Sequence, residues 1–258
     1  MTPAKAAKIR KQLKLKERTT TVPNSSSQTA TEFMSDQELP WESASRRIFL
    51  LSPANIAGIR GGRLMCDSAE SELSSRLRGP GAPLGEVFSF ISALYFRGKL
   101  AYATRFANAP PAVDGTFVIT ACGGLITPET MVTRERLREI STNNIDLMNQ
   151  RYRRLFDRDS QALSELVGSD CQIVLLGSVA TPKYAEPLLR IFGERLLFPA
   201  AFVGRGDMSR GGLMLRCVKS GVQLTYLSLA TAARHGPKPP RLVPLRTKLH
   251  LSIPKLAS

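Results

Sequence analysis

A three-layer α/β fold built on a mostly parallel sheet of about five strands is predicted by three observations. Residues 48–52 (IFLLS), 116–120 (TFVIT) and 172–177 (QIVLLG) are short runs that stay apolar instead of alternating. That is the habit of strands buried on both faces in a parallel sheet. Between the runs lie stretches with apolar residues at three- and four-residue spacing, which supply covering helices. Each run also breaks off into small, hydroxyl-bearing or glycine residues, and in an open parallel sheet the ligand crevice lies beyond the carboxyl ends of the strands.

The body starts at Arg46, after a lead-in over 33–45 with Phe33 and Trp41 available for packing. Strand one covers 47–52. Residues 53–83 are rich in Gly, Pro, Ser and Arg and read as a long irregular connection, a kind that is usually functional inside a domain. A long helix over 84–108 follows, with Val87, Phe88, Ile91, Leu94, Tyr95 and Tyr102 on a broad apolar face and Arg97 and Lys99 read as solvated. Pro110-Pro111 ends it. Strand two covers 116–121. Helices are predicted near 134–140 and 147–167, the second with Arg151, Arg153, Arg154 and Arg158. Strand three covers 172–177. Thr181-Pro182 opens a helix to about Phe192, with Pro187 inside it and Gly193 as its carboxyl cap. A short strand at 196–198 precedes VGRGDMSRGG (203–212), and a helix over 213–218 is favoured over a hairpin with 223–229. No internal repeat is visible.

The 258 residues carry a net charge of +15 and are 43% hydrophobic, enough for one domain with a sizeable core over 40–231. Residues 1–18 carry seven Lys or Arg against one Glu, and 232–258 carry six and no acid, while the 213 residues between carry 23 against 20. Basicity therefore belongs to the two ends: a basic, Ser/Thr-rich stretch over 1–32 and a Pro-rich one over 232–258. Disordered basic tails of this kind favour a polyanion, RNA or DNA, without sequence preference; a purely solubilising role stands beside that reading. No apolar run approaches the length of a membrane span. Cys66, Cys122, Cys171 and Cys217 are about fifty residues apart with no C-x-x-C pair, which suggests a reducing, cytoplasmic setting. The two histidines, His235 and His250, lie near the carboxyl end, which argues against a Ser-His-Asp triad or a histidine metal site in the core. The sequence does not tell which cofactor, if any, is used, or whether a metal is needed, and no metal ligand is assigned.

Four loops hold the candidate chemistry. After strand one, Ser52, Asn55, Arg60 and Arg63 stand among glycines in SPANIAGIRGGR, the parts of an anion cradle, although it is neither a P-loop nor G-x-G-x-x-G and its glycines do not open a regular helix. After strand two, Thr120, Gly123 and Gly124 suit close approach to a flat ligand; Cys122 beside them reads as a packed thiol more than a nucleophile. After strand three, Ser178, Thr181 and Lys183 surround a helix start whose amides attract an anion, although Thr181 also reads simply as a cap. In the fourth loop, Asp207 between Arg205 and Arg210 is the one plausible acid or base among these loops, or else a structural ion pair.

Three segments, LYFRGKLAYA (94–103), FVITACGGLITP (117–128) and the strand and helix from Val174 to Phe192, resemble in their order a group of uncharacterised bacterial domains. These carry an L-Y-x-S-x-L-F-R-K-A-x-x-Y-A helix and a strand ending in S-A-x-x-G-L-x-x-P. A related pattern occurs in a domain of archaeosine synthase, a tRNA base-modifying enzyme. The chain departs from the pattern in a shorter helix segment, in Thr120 where Ser is usual, and in its long first loop. The resemblance spans roughly 46–200 and implies a Rossmann-like sheet and a general link to nucleobases or nucleic acid; no catalytic residue transfers.

Together these readings predict an enzyme or enzyme-derived domain acting on a nucleobase, nucleotide or nucleic acid, with its site at the carboxyl ends of the strands. A nucleotide-like small molecule would sit there, Arg60 and Arg63 would hold phosphate, Thr120 and Ser178 would hydrogen-bond, and Asp207 would be the acid or base. The alternative is a non-catalytic nucleic-acid-binding module that uses the basic ends and the Arg/Gly loops, with the sheet as scaffold.

Overall fold

The computed structural model describes residues 45–242 apart from 67 and 69; the amino-terminal basic segment, its linker, nearly all of the lead-in and the last sixteen residues of the Pro-rich end lie outside the described residues. Along the chain run β1 (Arg47–Leu51), α1 (Ile59–Met65), α2 (Glu72–Arg78), β2 (Ala82–Pro83), α3 (Leu84–Ser92), α4 (Leu94–Phe106), β3 (Thr116–Thr120), β4 (Gly124–Ile126) and β5 (Met131–Val132). There follow α5 (Arg134–Thr142), α6 (Gln150–Val167), β6 (Gln172–Leu176), α7 (Pro182–Phe192), β7 (Leu196–Pro199), α8 (Asp207–Ser220) and β8 (Tyr226–Ser228).

Six strands form one sheet in the order β4-β3-β1-β6-β7-β8. The inner four are parallel, and β4 and β8 flank them antiparallel. The register sets Phe49 beside Thr116 and Val174. Because successive side chains of a strand point to opposite faces, the aliphatic runs feed two cores. Phe49, Leu51, Val118, Val174 and Leu176 meet the helices α3, α4 and α8 on one face; Ile48, Leu50, Ile119, Ile173 and Leu175 meet α6 and α7 on the other. From β1 the chain goes to β3 on one side and returns to β6 on the other side of β1. The strand order therefore reverses between β1 and β6, the position at whose carboxyl side open α/β sheets bind their ligands.

The structure corrects the sequence reading in three places. The 53–83 connection is not irregular, because it holds α1, α2 and β2. Of the glycines of its first part, Gly58 is extended and precedes α1, while Gly61 and Gly62 lie inside it; a Cβ on Gly61 would come within 1.9 Å of the Ile56 carbonyl oxygen. The long helix is broken at Ala93, a non-glycine residue at φ +44° and ψ −114°, with no Pro or Gly to announce it.

The break lets α4 press on α8 at two glycines. A Cβ on Gly98 would stand 2.7 Å from the Gly211 carbonyl oxygen, and one on Gly211 would stand 2.5 Å from that of Leu94. Only backbone fits at this crossing. At the edges, the Asp159 carboxylate accepts the Leu125 N–H of β4 at 3.1 Å. The Tyr102 hydroxyl of α4 accepts the Leu224 N–H at 2.8 Å and meets the Tyr226 hydroxyl of β8 at 2.6 Å.

Overpacking of this kind costs ~1–3 kcal/mol or more. Gly98→Ala and Gly211→Ala are each expected to lower the urea midpoint by a corresponding amount without changing the slope. Ala93→Gly should raise stability by roughly 1 kcal/mol and the midpoint with it, since glycine adopts this backbone without strain; an unchanged or lower midpoint would show that Ala93 stores no strain.

Candidate functional site

β1 is followed by Ser52, which is 7% exposed, and β6 by Gly177, where a Cβ would stand 2.9 Å from the Ser52 Cβ and 3.1 Å from its Oγ. Glycine thus lets the two strand ends close on each other at the reversal of strand order. Into this corner α4 sends Lys99, 1% exposed. Its Nζ donates to the Ser52 Oγ at 2.9 Å and to the Ser52 main-chain carbonyl. It also sits 4.4 Å from the Tyr95 ring centroid and 4.9 Å from that of Phe96. Among the described residues Nζ forms no ion pair.

Burial therefore dominates its acidity and lowers the Lys99 pKa to about 7, with attraction from Asp207 opposing the shift and repulsion from Arg210 adding to it. The Tyr95 hydroxyl is buried beside the Arg210 guanidinium. Burial pushes it up to about 12, eased by Arg210, so it stays protonated at neutral pH. Tyr184, from the first turn of α7, interacts electrostatically with Tyr95 and is itself held protonated by burial.

The amino-terminal turn of α8 closes this corner. Arg210 is 11% exposed in its side chain and donates Nε and Nη2 to the Phe202 carbonyl at 3.2 and 2.8 Å. Asp207, 67% exposed, stands 3.5 Å from Arg210. Arg205 donates to the Ala201 carbonyl at 3.1 Å and to the Ser209 Oγ at 2.9 Å. The arginines are thus partly committed to the turn, and Asp207 faces outward.

The remaining candidates spread along the same edge. Asn55 and Arg60 are exposed and line an open pocket of about 290 Å³ with Ile91 and Ser92; Arg63 lines a neighbouring one of about 330 Å³ with Phe90. Thr120 is fully buried, and its Oγ1 accepts the Gly123 N–H and donates to the Gly124 carbonyl, both at 3.1 Å. Gly124, at φ +66°, packs against the Asp159 carboxylate. These three residues form a self-contained turn. Cys122 is buried and its thiol is pushed up by that burial, which fits a packed thiol. Ser178 is half-buried at the end of β6, and Lys183 lies over the Tyr184 ring at 5.2 Å. Thr181 precedes α7 but makes no side-chain capping bond, contrary to its reading as a cap.

Lys99 is the residue the sequence reading missed, and it is not solvated. Its signal was present: Ile91, Tyr95, Lys99, Tyr102 and Phe106 recur at four, four, three and four residues, so Lys99 lies in the apolar stripe itself. Among the described residues no group of three or more His, Cys, Asp or Glu is placed to hold a metal ion, and no helix is long and apolar enough to cross a membrane. Compared with family models, with curated proteins and with solved structures, the chain gives no match.

The shift at Lys99 has a pH signature. The folded amine loses its proton near pH 7, while the unfolded one keeps it to about 10.4. Between these values the unfolded state binds more protons, so stability rises with pH by up to about 1.4 kcal/mol per unit. Lys99→Met removes this contribution. The stability of the wild type relative to Lys99→Met is expected to improve steadily from pH 7 to 10 and to stay flat below pH 6; a difference independent of pH would show that Lys99 titrates normally.

Proposed function

We propose that the carboxyl edge of the sheet binds the phosphate-bearing part of a nucleotide or nucleic acid and acts on it. The observation that carries this reading is the Ser52–Lys99 contact at the point where strand order reverses. A buried amine held against a hydroxyl is costly to maintain in a scaffold and is common where chemistry is done. Exposed Arg60 and Arg63 on α1, the first helix after β1, supply guanidinium forks suited to phosphate. The net charge of +15 favours polyanions at long range.

In this reading Arg60 and Asn55 guide phosphate along the open pocket toward Ser52. Arg205, Arg210 and Asp207 shape the far wall, and Ser178 offers a hydroxyl from the end of β6. Asp207, exposed and paired with Arg210, serves as a surface charge at the rim; the buried amine is better placed for proton transfer.

The test is titration of the full chain with mononucleotides, short RNA, single-stranded DNA and duplex DNA over a range of salt. Arg60→Ala/Arg63→Ala is expected to weaken binding and to reduce the slope of log K against log salt by about one unit for each phosphate no longer neutralised. Unchanged affinity and slope would remove the α1 arginines from the interface and leave the binding-module reading, centred on the basic ends.

A further inference from the structure

We propose that Ser52 and Lys99 are a nucleophile and its general base, which together transfer the phosphoryl group of a phosphoester through a serine-bound intermediate. This deepens the phosphate-site reading and rests on it for the class of substrate.

The geometry supplies the parts. Lys99 Nζ is 2.9 Å from the Ser52 Oγ and is also bonded to the Ser52 carbonyl. A neutral amine has two N–H groups and one lone pair. One N–H satisfies the carbonyl, and the lone pair receives the serine hydroxyl proton. An ammonium here has its N–H groups met by these two oxygens and by the ring faces of Tyr95 at 4.4 Å and Phe96 at 4.9 Å, so it is the resting form at lower pH. The pair is armed when Nζ gives up a proton and the Ser52 hydroxyl, which in the resting arrangement donates to the Leu176 carbonyl at 3.5 Å, turns to the freed lone pair. The charged and titratable groups facing it are Tyr95 on the same helix and Asp207 and Arg210 from α8, with Tyr184 from α7 acting on Tyr95. Their balance, dominated by burial, brings the amine to about 7, where a base works best.

The step balances without an oxidant, reductant or metal. The Nζ lone pair takes the Ser52 proton as Oγ bonds to phosphorus; the bond from phosphorus to the leaving alcohol oxygen breaks, and Nζ returns the proton to that oxygen. Water then gives a proton to Nζ and its oxygen to phosphorus, and the Ser52 Oγ departs and recovers the proton. The Tyr95 hydroxyl, kept protonated by burial, is a donor on the same helix as Lys99.

The experiment treats the full chain with a fluorophosphonate, a phosphorus electrophile whose fluoride is displaced by an activated serine, and locates the adduct by peptide mass spectrometry. One adduct on Ser52 is expected, with a rate that rises to a plateau with a midpoint near pH 7. Lys99→Met should slow it about 100-fold or more at pH 8, and adenosine monophosphate should protect. No adduct on Ser52, no inflection between pH 5 and 9, or an undiminished rate in Lys99→Met overturns the pair. Should that variant fail to fold, the wild-type pH profile decides alone. Nucleotide binding without labelling overturns the pair and leaves the binding reading intact. Labelling with the expected profile that no nucleotide slows upholds the pair and overturns the nucleotide reading.

Discussion

The bare crossing of α4 and α8 is the constraint from which the rest of the structure takes its form. Two helices meet at Gly98 and Gly211 with no side chain between them. To reach that depth α4 cannot continue the line of α3, and the chain turns at Ala93 in a conformation that costs an alanine on the order of 1 kcal/mol. Once α4 is seated, the residue after Gly98 has nowhere to go but the corner where β1 ends. The same seating brings the first turn of α8, with Asp207 and Arg210, to the mouth of that corner. Fold and site are therefore settled by one contact.

Burying Lys99 runs against the usual habit of a core, in which an amine is kept wet or given a carboxylate partner. The cost is tolerated because the surroundings are strong. Four parallel strands are covered on both faces, and the side chains of Phe49, Phe88, Phe96 and Tyr102 around α4 are fully buried. The amine meets this environment by giving up its charge near neutrality. The outer arginines work under different rules. Arg60 and Arg63 stay in solvent, where a guanidinium costs little to keep, and Arg205 and Arg210 commit several of their donors to main-chain carbonyls.

The strands were legible because burial on both faces leaves a run of aliphatic residues that few other settings produce, and the residues that follow two of them, Ser52 and Gly177, meet in the structure. The helix from Asp207 was legible in its second half, since Leu213 to Val218 carries a helical pattern; its first half was obscured by glycines and arginines that serve the crossing and the turn. What escaped depends on contacts distant in sequence. Nothing local distinguishes Gly98 from a tolerated helix glycine until Gly211 is known to face it. Lys99 lies on the apolar stripe by spacing, but its charge argues for solvent, and only the depth of α4 decides between the two. Thr120 and the Gly123-Gly124 pair drew notice as a ligand loop, whereas their polar groups close a turn on one another and on Asp159.

The two edge strands are each fastened by a side chain from a helix, β4 by Asp159 and β8 by Tyr102. Peeling the sheet from either side must first break a partly buried polar bond. By contrast, α1 and α2 are seven-residue helices with exposed arginines, and short, solvated segments open at the least free energy. The segment between β1 and β2 that carries Arg60 and Arg63 is therefore the first expected to open, ahead of the buried Ser52–Lys99 contact. The outer arginines and the inner corner thus belong to parts of the fold with different local stability.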